Sequence, residues 1–128
     1  MLDIDFPNES FDFVIANHVL EHVDDCQRAV SEIHRVLKVG GHAILQTPFS
    51  RILTQTWEDP GIKTVEARTE AYGQGDHVRL FGRDVFERLS FSGLVSRVEE
   101  HDCLLTECDP SQFGVNRAEP FFHFQRAA

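Results

Sequence analysis

The sequence has no long apolar run, no basic cluster, no Cys-x-x-Cys pair and no Gly-x-Gly-x-x-Gly turn. Each absence excludes something. A helix that spans a bilayer needs about 20 consecutive apolar residues, and none are present. No basic-then-apolar leader opens the chain. With 12 Lys and Arg against 21 Asp and Glu, the net charge is −9. That balance disfavours nucleic acid, whose binding is built from Lys and Arg contacts to phosphate. Cys26, Cys103 and Cys108 are odd in number and widely spread. They read as reduced thiols in the cytoplasm rather than as a disulfide framework. The expected partner is a small molecule or a protein, with neither nucleic acid nor membrane.

What is present suits one soluble α/β unit. At 128 residues, 41% hydrophobic and 26% charged, the chain is long enough to bury a core without disulfides or metal. Phe11 to Asn17 is mostly apolar and follows acidic and turn residues, as a strand buried on both faces would. Asp24 or Asp25 caps a helix running to about Lys38, with Cys26, Ala29, Val30, Ile33, Val36 and Leu37 on one face. Gly40 or Gly41 reads as its left-handed stop. His42 to Thr47 forms the next strand, which makes a βαβ unit with a right-handed crossover. Residues 49–81 show no sustained period and read as a long loop, either substrate-facing or partly disordered. A second helix spans about Arg83 to Ser92, a strand Leu94 to Glu100, and an antiparallel strand Phe121 to Gln125. Cys103 to Pro110 reads either as strand extension or as loop.

Several of these segments resemble one family. Ile4-Asp5-Phe6-Pro7-Asn8-Glu9-Ser10-Phe11-Asp12-Phe13-Val14-Ile15, Asn17-His18-Val19-Leu20-Glu21-His22-Val23, Glu32-Ile33-His34-Arg35-Val36-Leu37 and Lys38-Val39-Gly40-Gly41 are similar to the second half of class I S-adenosylmethionine-dependent methyltransferases of type 11. Asp76-His77-Val78-Arg79-Leu80-Phe81-Gly82-Arg83-Asp84 extends the likeness. Val39 departs from it, because the family usually carries Pro before the Gly pair. The resemblance implies an α/β fold, the C-terminal half of a Rossmann-like sheet. Its strands would be four to seven in the order 4-5-7-6, one of them antiparallel, with helices packed on the sheet.

It also implies methyl transfer from S-adenosylmethionine to a small-molecule acceptor. Residues 1–128 then form a single partial domain without the family's N-terminal glycine-rich cofactor loop. The expectation is weak or absent cofactor binding by this chain alone, and a homodimer covering the strand at residues 11–17. The alternative is a non-catalytic dimerisation or binding module that retains the second half of the fold.

The resemblance leaves Asn17 and His18 as a residual cofactor site, bordering the methionine part of S-adenosylmethionine. His22 and His77 are the catalytic candidates, since imidazole suits proton transfer near neutral pH. His77 stands where the family's residues overhang the active-site mouth; otherwise the segment is a loop anchor, with Arg79 or Arg83 paired to Asp76 or Asp84. No metal is expected. The alternative is a metal on His18, Glu21 and His22, because histidines four apart share a helical face. The run is also similar to the Glu-x-x-Glu-His metal site of small-RNA 2′-O-methyltransferases and some quinone O-methyltransferases. His77 is a further ligand candidate there. Cys26 reads as core.

Overall fold

The computed structural model describes all 128 residues. Four strands form one sheet: β1 (Phe11–Ile15), β2 (Leu37–Ile44), β3 (Leu94–Ser96) and β4 (His123–Arg126). Their spatial order is β1-β2-β4-β3, with β4 antiparallel to both of its neighbours and β1 parallel to β2. Helix α1 (Cys26–Val36) joins β1 to β2, and α2 (Val65–Tyr72), α3 (Val85–Ser90) and α4 (His101–Leu104) follow in the connections. The expected α/β architecture and strand order are the observed ones.

Alternation along the strands divides the residues between the two faces of the sheet. Ala16, Ala43, Leu45, Phe122 and Phe124 join Ala29, Val30 and Ile33 of α1 and Val85 and Leu89 of α3 in one buried cluster. Cys26 belongs to it as well. On β1 the alternate residues Phe13 and Ile15 remain 51% and 63% exposed. β1 is also an edge, paired only with β2.

Helix α1 starts where the sequence suggests, with the Asp25 carboxylate accepting from Arg28 N–H at 3.0 Å. Its end differs. The helix stops at Val36 and the chain turns directly into β2 at Leu37, without a glycine stop. Arg126 makes this possible, because its Nη1 donates to the carbonyls of His34, Arg35 and Leu37 while Nη2 reaches Glu9 at 3.1 Å. The guanidinium supplies donors that a Gly-ended helix finds in its own backbone. Gly40 and Gly41 instead build an irregularity inside β2: Phe11 pairs with Leu37, but Phe13 pairs with His42. Gly40 has φ +81°, and a Cβ on Gly41 would stand 2.9 Å from the Lys38 carbonyl oxygen.

The remaining differences are local. Residues 65–72 within the expected loop are helical, capped by Thr64 and ended by left-handed Gly73 at φ 88°. Gly73-Gln74-Gly75, the one Gly-x-Gly of the sequence, thus follows a helix rather than a strand. The third strand is shorter than expected, ending at Ser96; the ambiguous segment Cys103 to Pro110 takes in the last two residues of α4 and is otherwise loop, not strand.

Two half-buried histidines and one carboxylate make stability fall with acidification. Burial and then the Arg126 charge push His34 below its ordinary 6.5. Burial and then His42, whose Nδ1 lies 2.9 Å from His123 Nε2, do the same to His123. For both, the unfolded chain takes up protons first, so stability declines as pH drops below about 6.5. The Arg35 hydrogen bonds hold Glu32 at about 2 against an ordinary 4.5. Its contribution is complete above 4.5 and is lost as pH falls toward about 2. Urea midpoints are therefore expected to fall in two stages, first below about pH 6.5 and again below about pH 4.5. His123→Gln should shrink the first stage, leaving the part due to His34, and should not change the second.

Candidate functional site at the end of the first strand

In open α/β sheets ligands lie beyond the carboxyl ends of the parallel strands. Here that region is built by residues 16–23, which leave β1, and by Gln46 and Thr47, which leave β2. The two exits are tied together: His18 N–H donates to the Gln46 carbonyl at 2.8 Å, and Asn17 Oδ1 accepts from Gln46 N–H at 3.3 Å. His18 has φ 53°, a left-handed conformation that is uncommon for a residue with a Cβ. The turn aims its ring outward, with the side chain 61% exposed.

Behind this rim is a polar cluster. The Glu21 side chain is 2% exposed, yet no Lys or Arg pairs with it. Its Oε2 accepts from the Thr47 hydroxyl at 3.0 Å. Its Oε1 lies 3.5 Å from His18 Nδ1 and 3.8 Å from His22 Nε2. His22 Nδ1 lies 3.1 Å from the Asp76 carbonyl oxygen. A carbonyl only accepts, so Nδ1 carries a proton; in the neutral ring the lone pair is then on Nε2. The His77 ring meets that of His22 edge to face, at 4.8 Å between centroids. His77 is 7% exposed.

The segment carrying His77 is held by Arg79. This residue is 2% exposed, donates to the carbonyls of Leu20 at 2.6 Å, Val23 at 2.5 Å and Asp24 at 2.9 Å, and pairs with Glu58 at 2.9 Å. Neither anchoring pair suggested by the sequence forms. Arg79 takes Glu58 and backbone in place of Asp76, and Asp84 is held by Arg88 and Thr56. The Val78 N–H also donates to the Glu21 carbonyl at 2.9 Å. The loop 76–79 is thereby stitched to the turn 20–24, across more than 50 residues of sequence.

The structure thus sets Glu21, His22 and His77 together, with His18 at the rim and Asn17 beside it. Sequence reasoning missed Thr47, which fixes the Glu21 carboxylate; its only signal is a hydroxyl at the strand exit before Pro48. A separate cleft of about 470 Å³ is lined by Phe49, Arg51, Arg83, Phe86, Glu99 and Pro120 among others. Neither Asn17 nor His18 lines it.

Helices over a sheet of this order, with a polar constellation beyond its parallel strand ends, define part of a doubly wound α/β methyltransferase-type fold. Residues 1–45 match the family model described as a methyltransferase domain, and over nearly the whole chain the fold is similar to that of solved methyltransferases. Over 49 residues it is 39% identical to a phosphatidylethanolamine N-methyltransferase of Cereibacter sphaeroides, covering 38% of this chain and 24% of that protein. The YcgJ protein of Bacillus subtilis superposes with a TM-score of 0.54 at 18% identity, over 97% of this chain and 63% of that one. A Burkholderia thailandensis 1,6-didemethyltoxoflavin N1-methyltransferase, solved with S-adenosylhomocysteine bound, gives 0.58 at 13% identity, over 99% and 48%. The chain spans about a quarter of the curated relative and roughly half to two thirds of these structures.

No helix is long and apolar enough to cross a membrane.

Proposed function

We propose that the chain carries the second half of a methyltransferase domain whose reaction moves a methyl group from S-adenosylmethionine to a small-molecule acceptor. The observation that carries this reading is the strand exit at Asn17 and His18, within the stretch matching the family. The sulfonium supplies an already activated methyl group. The residues present fit one edge of such a cofactor: exposed Asn17 and His18 offer polar atoms for its methionine part. Among the 128 residues no glycine-rich strand-to-helix turn offers backbone donors for the rest. Ribose and adenine contacts contribute about 0.5–1.5 kcal/mol per hydrogen bond. Without several of them, affinity drops by orders of magnitude.

The chain alone is therefore proposed to bind cofactor weakly. Calorimetric titration of the purified chain with S-adenosylhomocysteine, after sizing by light scattering, tests this. The expected result is no saturable heat at micromolar concentrations. Micromolar binding would overturn it and mean that the chain holds a complete cofactor site.

The second reading, a non-catalytic dimerisation or binding module, draws on β1. Phe13 and Ile15 are more than half exposed beside a row of unpaired backbone groups. Such an edge is a template for association, and a twofold homodimer is the commonest closed solution. A dimer that gives no heat with S-adenosylhomocysteine supports this reading. A monomer with unpaired β1 excludes its dimerisation form.

A further inference from the structure

We propose that the cleft between the exit of β2 and the start of α3 binds a zwitterionic small molecule with a flat apolar body, of the class of the aromatic α-amino acids. Its volume of about 470 Å³ lies in the range of small-molecule sites. Its floor is aromatic. Phe49 follows β2 and Phe86 belongs to α3, and their rings meet edge to face with centroids 5.5 Å apart. Both pack on the buried ring of Phe122. Each is itself only half-buried, so part of each ring stays open to the cleft. Val98 and Pro120 complete the apolar lining. A ligand ring laid against this floor gains both area burial and ring-to-ring contact.

The charges around the floor are two of each sign, and half of them are unused. Arg51 is occupied: its guanidinium carbon lies 5.4 Å from the Phe49 ring centre, and Nη2 donates to the Ala118 carbonyl at 2.6 Å. It also stands 3.9 Å from Glu100. Arg83 and Glu99 are engaged through their backbones only. Arg83 N–H donates to the Leu53 carbonyl at 2.8 Å, and Glu99 exchanges two hydrogen bonds with Phe121. Neither side chain makes a hydrogen bond or an ion pair, and they do not pair with each other. His123 is near enough to feel the Glu99 charge, but burial and then His42 push it below its ordinary 6.5. It is therefore neutral near pH 7 and no counter-ion. One free cation and one free anion on the wall of one cleft are complementary to a ligand that brings one carboxylate and one ammonium. A ligand with a single charge meets a like charge on one side, which disfavours it.

Gln46 sets this cleft beside the strand exits described above. Its backbone bonds to Asn17 Oδ1 at 3.3 Å and to His18 N–H at 2.8 Å. Its side chain donates to the Pro120 carbonyl at 3.1 Å and accepts from Phe122 N–H at 3.2 Å. One residue thus joins the Asn17–His18 turn to the wall of the cleft. Under the methyl-transfer reading, on which this step alone rests, the cleft is the place of the methyl acceptor.

Titration of L-phenylalanine into the isotope-labelled chain near neutral pH, followed by backbone amide shifts, tests the site. Saturation below about 10 mM is expected, with shifts centred on Arg51, Val98 and Glu100. Glycine lacks the ring, phenethylamine the carboxylate and hydrocinnamate the amine, and each should bind at least about threefold more weakly. Arg83→Gln should weaken phenylalanine about three- to tenfold and leave phenethylamine unchanged. Glu99→Gln should weaken phenylalanine to a similar degree and leave hydrocinnamate unchanged. Both side chains are exposed, so the substitutions leave the core intact. No saturation by about 10 mM, shifts that saturate elsewhere, or an affinity indifferent to both substitutions overturns the proposal. Phenethylamine or hydrocinnamate binding as tightly as phenylalanine overturns it too, and leaves an apolar cleft only. No S-adenosylhomocysteine is present, so the outcome is separate from the calorimetric test of the cofactor reading.

Discussion

Arg79→Ala is expected to lower the free energy of unfolding by about 3–5 kcal/mol, the range for removing one partner from a buried charged network. The guanidinium satisfies three carbonyls in the turn after β1 and one carboxylate, and it is almost fully enclosed. Alanine removes all four interactions together and strands carbonyls that water reaches poorly. Each such orphan costs about 1–3 kcal/mol. Arg79→Lys keeps the charge but replaces a planar fork by a single ammonium, so it should recover less than half of the loss. Urea denaturation of the three proteins measures both quantities. A loss below about 1 kcal/mol for alanine would show that the turn holds without its clamp.

The second large effect is expected at Phe122. Its side chain is fully buried and packs against Phe49 and Phe86, with ring centroids 5.8 and 5.0 Å away. Its backbone matters as well: the carbonyl accepts from Leu45 N–H at 3.0 Å, and the N–H donates to Gln46 Oε1 at 3.2 Å. Phe122→Ala keeps those bonds but empties the space between sheet and α3. The expected loss is about 3–5 kcal/mol, with about 1–2 kcal/mol for Phe122→Leu, which refills much of the volume. Against a typical total of about 5–15 kcal/mol, the alanine variant should be partly unfolded near its ordinary melting range. An unchanged denaturant slope alongside the lower midpoint would confirm that only the native state is affected.

Elements with a continuous apolar stripe were legible in the sequence. Helix α1 was, because Cys26, Ala29, Val30, Ile33 and Val36 recur at helical spacing and all are buried. The strand order followed from family resemblance rather than from any residue pattern. Helix α2 was not legible: Tyr72 is its only buried residue, so no stripe marks it. Gly40 and Gly41 misled because glycine serves helix stops and strand irregularities equally well. What decided between those uses was Arg126, about 90 residues away in the chain. The candidate site divides in the same way. His18, Glu21 and His22 are adjacent in sequence and could be read together. Thr47 and the Asp76 carbonyl carry no local signal, since their roles depend on which strand exits lie side by side.

The place of β4 in the sheet has a kinetic consequence. It is the last of the four strands to be synthesised, yet it lies between β2 and β3 and pairs His42 with Gln125 and Leu94 with Arg126. A nascent chain that has reached Ser96 therefore has no partner for either inner edge, and it also lacks Phe122 and Phe124 of the core. Closing so long a connection is slow, because its entropy is lost before any ladder forms. Until then the emerging β1–α1–β2 segment shows apolar surface and open strand edges, the state in which chains aggregate or recruit chaperones. Folding of this sheet is thus gated by emergence of residues 121–126 from the ribosome, and ribosome-bound chains halted before that point should remain protease-sensitive throughout.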